Sequence, residues 1–231
     1  MLLFPQTIEL LKERFADQRC KRVVFISHCL LNENTRYMGG AFCSGVNPEI
    51  ATLLTQIDCG VVQMICPERV AWGGVYKPDV YQFLGVGQAP LIRRLLLPMA
   101  PLFLFLLARR MKWVARYTAS EIADYHRNGM RVMGVIGVGG SPACGVSRHP
   151  DLREYFEWGS QVDIATVTRD EQNAVINRVC KDGPGIFIAY LRRELGRRGI
   201  DVEFAEYDLF DEAEGKPNLL LRTFRINPDA D

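Results

Sequence analysis

The chain lacks a charge surplus of either sign. Lysine and arginine number 28 against 27 aspartates and glutamates, a net charge of +1. Coating a nucleic-acid duplex needs a clustered basic excess, so that class of function is excluded and a small, weakly charged partner is expected. No apolar run approaches the ~20 residues that cross a bilayer. There is no internal repeat, no low-complexity stretch and no linker that splits the chain. No two cysteines stand at Cys-x-x-Cys spacing, which argues against a thioredoxin-like redox role. The glycine-rich stretch 134–140 lacks the full dinucleotide-binding spacing and an acidic partner, and no P-loop is present. Residues 1–15 are broken by Pro5, Glu9, Lys12, Glu13 and Arg14 and do not read as an export signal. Seven cysteines, an odd number, are therefore expected to be reduced thiols of a cytoplasmic protein, free to bind metal.

What is present suits a folded core: 231 residues, 48% hydrophobic and 24% charged. Three β-branched apolar runs, 23–26, 61–65 and 132–138, are continuous enough to be strands covered on both faces. Helical patterns lie between them. One covers 47–57 with Pro48 in its first turn. Another covers 118–128, opening on a capping box from Thr118 to Glu121 and stopping at Gly129. A third runs over 185–198 to Gly199, and 202–204 and 219–221 read as further strands. The alternation predicts an α/β fold: a single domain with a mainly parallel sheet flanked by helices and an apolar helical insertion.

That insertion contains LLLPMAPLFLFLLA at 95–108, between Arg93-Arg94 and Arg109-Arg110. Pro98 and Pro101 interrupt its fourteen residues, so it is too short and too broken to span a membrane. A buried or lid-forming element is expected; the alternative is a hairpin that docks on a membrane surface or a partner.

Ligands of open α/β sheets gather beyond the carboxyl ends of the strands. Each of the three main runs leads there to a cysteine, in Ser27-His28-Cys29, in Cys66-Pro67-Glu68 and in Gly139-Gly140-Ser141-Pro142-Ala143-Cys144-Gly145. A parallel sheet brings these three to one edge. Three thiolates are soft ligands suited to zinc or an iron–sulfur cluster, and three protein ligands leave one metal position open. Any one buried cysteine is ordinarily a small hydrophobe; three at equivalent topological positions favour the functional reading. Glu68 is placed to activate water, or to cap its loop and pair with Arg69 or Arg36. Ser141 suits proton relay or the capping of the turn before Pro142. His28 suits a supporting bond to the metal site or a substrate, and Arg36 an anchor for a carbonyl or phosphate or a salt bridge within its loop. Gly183-Pro184-Gly185 either offers helix N–H groups to an anion or is a plain helix start. Cys20, Cys43, Cys59 and Cys180 read as structural or incidental, with Cys43 set apart by its place in the loop after the first cysteine motif. In a non-catalytic zinc or closed-cluster module, Cys43 or His28 supplies the fourth ligand.

The string Ser27-His28-Cys29-Leu30-Leu31-Asn32, followed by Arg36-Tyr37 and Gly39-Gly40, resembles the opening motif of the DUF523 family, which includes the thiouracil desulfidases. Cys66-Pro67-Glu68 with Gly73-Gly74 resembles its second motif, and Ser141-Pro142-Ala143-Cys144-Gly145 its third. Gly183-Pro184-Gly185, leading to Leu191-Arg192-Arg193 and Gly199-Ile200-Asp201-Val202, is similar to its C-terminal helix and strand. The resemblance runs over residues 23–204 and implies one such domain over 1–231, with a helical extension at 1–20 and an apolar insertion at 91–117. It implies a [4Fe-4S] cluster held by Cys29, Cys66 and Cys144. The implied reaction removes sulfur from a small thiolated compound, such as a thiolated nucleobase, without net redox change. Glu68 and Ser141 are the implied catalytic residues, and Ser27, His28, Asn32, Arg36 and Gly140 the substrate contacts. His28, Asn32 and Met38 depart from the family's usual small residue, glycine and aspartate, and these departures bear on the substrate.

Overall fold

A computed structural model of the chain describes residues 5–83, 95, 97–163 and 165–216. The chain begins with α1 (Pro5–Arg14), then β1 (Arg22–Ile26), α2 (His28–Leu31) and α3 (Pro48–Gln56). It continues through β2 (Gly60–Gln63), α4 (Pro67–Ala71), α5 (Pro78–Phe83), α6 (Ala100–Arg127) and β3 (Arg131–Gly139). After these come β4 (Arg148–Pro150), α7 (Leu152–Gln161), α8 (Arg169–Arg178) and β5 (Cys180–Asp182). The last elements are α9 (Ile186–Gly196), β6 (Phe204–Asp208) and α10 (Leu209–Ala213).

The fold is α/β. Four parallel strands lie in the order β2-β1-β3-β6, with helices around them, and β4 and β5 form a separate antiparallel pair. Val24, Phe25 and Ile26 of β1 and Val135, Ile136 and Val138 of β3 are fully buried, as expected of central strands covered on both sides. The chain steps from β1 to β2 on one side and returns to β3 on the other. The β1/β3 boundary is thus a point where the winding reverses, the usual place for a site in such sheets.

Two sequence expectations are corrected. The helix expected over 118–128 is the last part of α6, a 28-residue helix. Leu107, Met111, Val114, Ala115, Thr118, Ala119 and Ile122 recur every three or four residues and are all buried, so one apolar face continues through the supposed start. Thr118 is therefore a core residue and caps nothing. The two prolines do not break this helix: Pro101 sits in its first turn, where no intrahelical N–H is needed, and Pro98 lies in the 3-10 turn Leu97–Met99. The strand expected at 202–204 is β6, which it meets only at Phe204. The run 219–221 and residues 91–94 and 96 of the insertion lie outside the described residues.

Candidate metal and catalytic site

Cys29 is the second residue of α2, one turn beyond the end of β1. Cys66 is the N-cap of α4, its Sγ accepting the Arg69 N–H at 3.4 Å. Cys144 lies in the turn after β3; its carbonyl accepts from Val138 N at 2.8 Å and its N–H donates to Ser141 Oγ at 2.9 Å. All three line one cavity of about 80 Å³, together with His28, Arg36, Glu68, Gly140 and Ser141. Two of the expected substrate contacts are not among the lining residues. Asn32 instead caps the 3-10 turn Glu33–Thr35, its Oδ1 accepting from Asn34 N at 3.2 Å, a common use of a short amide side chain. Ser27 is buried beside Cys144, where its hydroxyl favours the Cys144 thiolate.

The thiols interact. Burial pushes Cys66 up to about 12, with Glu68 and Cys29 adding to the shift. Cys144 is driven well above its ordinary value by burial and then by Cys29, Glu68 and Cys66. Burial also raises Cys29, against the pull of the Arg36 guanidinium. Yet the three sulfurs do not gather as a single ion requires. Around one zinc, tetrahedral sulfurs stand about 3.8 Å apart. Among the described residues only Glu33, Cys43 and Glu212 offer three ligand atoms within 4.8 Å of one another.

Glu68 stands at the centre of a short polar chain. Ser141 Oγ donates to its Oε1 at 2.9 Å, and Lys77 Nζ lies 3.1 Å from its Oε2. Lys77 is buried and also donates to Thr35 O at 2.9 Å. Sequence reasoning paired Glu68 with Arg69 or Arg36 and missed Lys77. No sequence signal marks Lys77; it follows a turn in which Gly73 and Gly74 take φ angles of 82° and 130°. Ser141 caps its turn as expected, its Oγ accepting from Ala143 N and Cys144 N, and its hydroxyl donates to Glu68.

Arg36 forms a structural salt bridge. Its Nη1 lies 2.7 Å from Glu212 Oε2 and its Nη2 3.2 Å from Glu33 Oε1, all buried. Cys43 belongs to this acidic group: its thiol donates to Glu212 Oε1 at 3.5 Å and its N–H to Glu33 Oε2 at 2.8 Å. It is not among the cavity-lining residues, so it is not placed to complete a metal site with the three motif cysteines. His28 does line the cavity, and burial lowers its pKa.

The anion-site reading of Gly183-Pro184-Gly185 does not hold. Ile186 N donates to Pro142 O at 3.0 Å, and Phe187 and Ile188 N donate to Ala143 O at 3.1 and 3.2 Å. The start of α9 thus clamps the Cys144 turn. Gly185 permits that approach, because a Cβ there would meet Ala143 O at 2.6 Å and Pro142 O at 2.9 Å. Gly185→Ala is expected to lower stability by about 1–3 kcal/mol, an overpacking cost read as a shift of the urea midpoint.

The rest of the lining includes Tyr37, Trp72, Tyr81 and Tyr155, flat side chains from four separate segments, of which only Tyr37 belongs to a quoted motif. No protein-family model, curated protein or solved structure matches the chain.

Proposed function

We propose that Cys29, Cys66 and Cys144 hold a [4Fe-4S] cluster in a chain of the DUF523 type, and that the protein removes sulfur from a small, flat, thiolated compound in a reducing, cytoplasmic compartment. The observation that carries this reading is the convergence of three thiols from the ends of three adjacent strands on one cavity that also holds Glu68 and Ser141.

The donor set fits the group. Three thiols from three separate segments on one cavity are the donor type a cluster takes, each thiolate binding a different iron. Arg36 Nε and Trp72 Nε1, on two cavity-lining side chains, are buried without a hydrogen-bond partner among the described residues. Unpaired buried donors favour an acceptor-rich, anionic occupant.

When bound, the cluster supplies an iron with an open position for a soft sulfur atom. Glu68 takes the proton of a water that attacks the thiocarbonyl carbon, while Lys77 holds the other carboxylate oxygen in place. Ser141, already bonded to Glu68, carries that proton on toward the departing sulfur. Aromatic walls at Tyr37, Trp72, Tyr81 and Tyr155 orient a planar ring and restrict further water. Carbon–sulfur cleavage by water leaves sulfide and a carbonyl, with no electron gained or lost.

Anaerobic reconstitution with iron and sulfide tests the assignment. About four irons and four sulfides per chain are expected, with visible absorbance, and sulfide release from thiolated bases should follow. Alanine at Cys29, Cys66 or Cys144 is expected to abolish assembly, whereas Cys43→Ala should load fully. One tightly held zinc and no iron, or full loading of any motif-cysteine variant, would overturn the proposal.

A further inference from the structure

One face of α6 has no partner among the described residues. While its buried face meets the sheet and α9, the opposite face leaves Met99, just before the helix, and Leu102, Phe105, Leu106, Trp113 and Tyr117 half or more exposed. The positions follow helical spacing, and Arg109 and Arg116 fall within the same exposed stripe. Trp113 and Tyr117 stack with centroids 6.1 Å apart, away from the core. The expectation that this segment is buried therefore fails at Leu95, Met99, Leu102, Phe105 and Leu106.

The charge of the region is one-sided. Between Asp79 and Glu121 the sequence has six basic residues, Arg93, Arg94, Arg109, Arg110, Lys112 and Arg116, and no acidic one. Carboxylates from neighbouring elements reach α6 at Arg110 and at Arg116, the second of them within the exposed stripe. Asp79 lies 3.6 Å from Arg110 Nη1 and Glu194 3.5 Å from Arg116 Nε, and both arginines remain more than half exposed. Outward, the face offers an apolar block at one end of the helix, then Arg109 and Arg116 with the amphipathic rings of Trp113 and Tyr117, before the acidic Glu121 and Asp124 of its last turns.

We propose that this stripe docks on an anionic phospholipid surface. Leu102, Phe105 and Leu106 enter the boundary between headgroups and acyl chains, Trp113 and Tyr117 sit at headgroup level, and Arg109 and Arg116 meet lipid phosphates. The protein lies on the surface and does not cross it: among the described residues no helix is long and apolar enough to span a membrane. A second copy fits less well, because antiparallel pairing centred on the stripe brings Arg109 against itself with no carboxylate to meet it. The inference is independent of the cluster, and either can fail without the other.

Co-sedimentation of the full chain with two kinds of vesicle tests it: phosphatidylcholine alone, and phosphatidylcholine with phosphatidylglycerol in roughly equal parts. Binding about tenfold or more stronger to the anionic vesicles is expected, weakening with added salt and accompanied by a blue shift of tryptophan emission that Trp113→Phe removes. Arg109→Glu is expected to weaken anionic-vesicle binding about tenfold, and Phe105→Glu with Leu106→Glu to abolish it, with unchanged circular dichroism. Equal binding to both vesicles, or to neither, overturns the proposal. A dimer that Leu106→Glu dissociates, without vesicle binding, instead assigns the face to a second copy, and an acidic protein bound in place of lipid assigns it to that partner.

Discussion

Glu68→Gln is expected to cut sulfide release about 10²–10⁴-fold while iron and sulfide contents stay at the unsubstituted level. The amide keeps the shape of the carboxylate and can still accept the hydrogen bond from Ser141, whose Oγ lies 2.9 Å from Oε1. What it loses is the capacity to take a proton from water. Lys77, buried 3.1 Å from Oε2, then faces a neutral group, so some stability is lost as well. The double variant Glu68→Gln, Lys77→Met removes that stranded charge. A rate loss that persists in the folded, cluster-loaded double variant belongs to the carboxylate. If loaded Glu68→Gln turns over near the unsubstituted rate, Glu68 is not the base and the water must be activated elsewhere. Ser141→Ala separates differently: it deletes the acceptor for Ala143 N and Cys144 N, so loss of cluster loading is expected alongside loss of rate.

The surroundings of Glu68 divide into residues that the amino-acid sequence makes legible and residues that only the folded chain brings in. Cys29, Cys66 and Cys144 are readable because a parallel sheet converts three distant sequence positions into one edge, and the apolar runs mark that sheet. Lys77 is not readable: its place depends on two glycines with positive φ and on the fall of a loop, which no periodicity records. The aromatic walls come from four segments, so their meeting is a tertiary fact. Helices α7 and α8 escape the periodicity reading although their caps stand in the sequence. Asp151 accepts from Arg153 N and Glu154 N, and Thr168 and Glu171 form a reciprocal capping box. The same motif at Thr118 misleads, because a capping box acts only where N–H groups are unpaired, and the buried face of α6 runs straight through that point. Local signals mark helix ends only when the core periodicity also stops.

Arg36 illustrates the opposite limit, a residue whose type suggests substrate binding and which, while lining the cavity, is held by two carboxylates of the fold. Its guanidinium is nearly inaccessible between Glu33 and Glu212, the latter contributed by α10 near the end of the described chain. Arg36→Leu strands two buried carboxylates, and a loss of about 3–5 kcal/mol is expected at neutral pH. The loss should depend on pH in a definite direction. Burial already raises the folded-state pKa of Glu212, with the neighbouring Glu33 raising it further and Arg36 opposing both. Removing Arg36 lifts it more, so the folded variant binds its proton more tightly than the unfolded chain does. Stability of the variant is then greatest below the unfolded carboxyl value and falls as pH rises through the folded one. Urea midpoints at mildly acidic and mildly alkaline pH should show the larger deficit on the alkaline side. An equal deficit at both would mean that the carboxylates stay charged or escape to solvent, and that Arg36 contributes by shape. Because the same guanidinium lies beside Cys29 and favours its thiolate, a variant that survives at low pH should also load iron less readily. The salt bridge that closes the fold thereby also sets the charge at one edge of the candidate site.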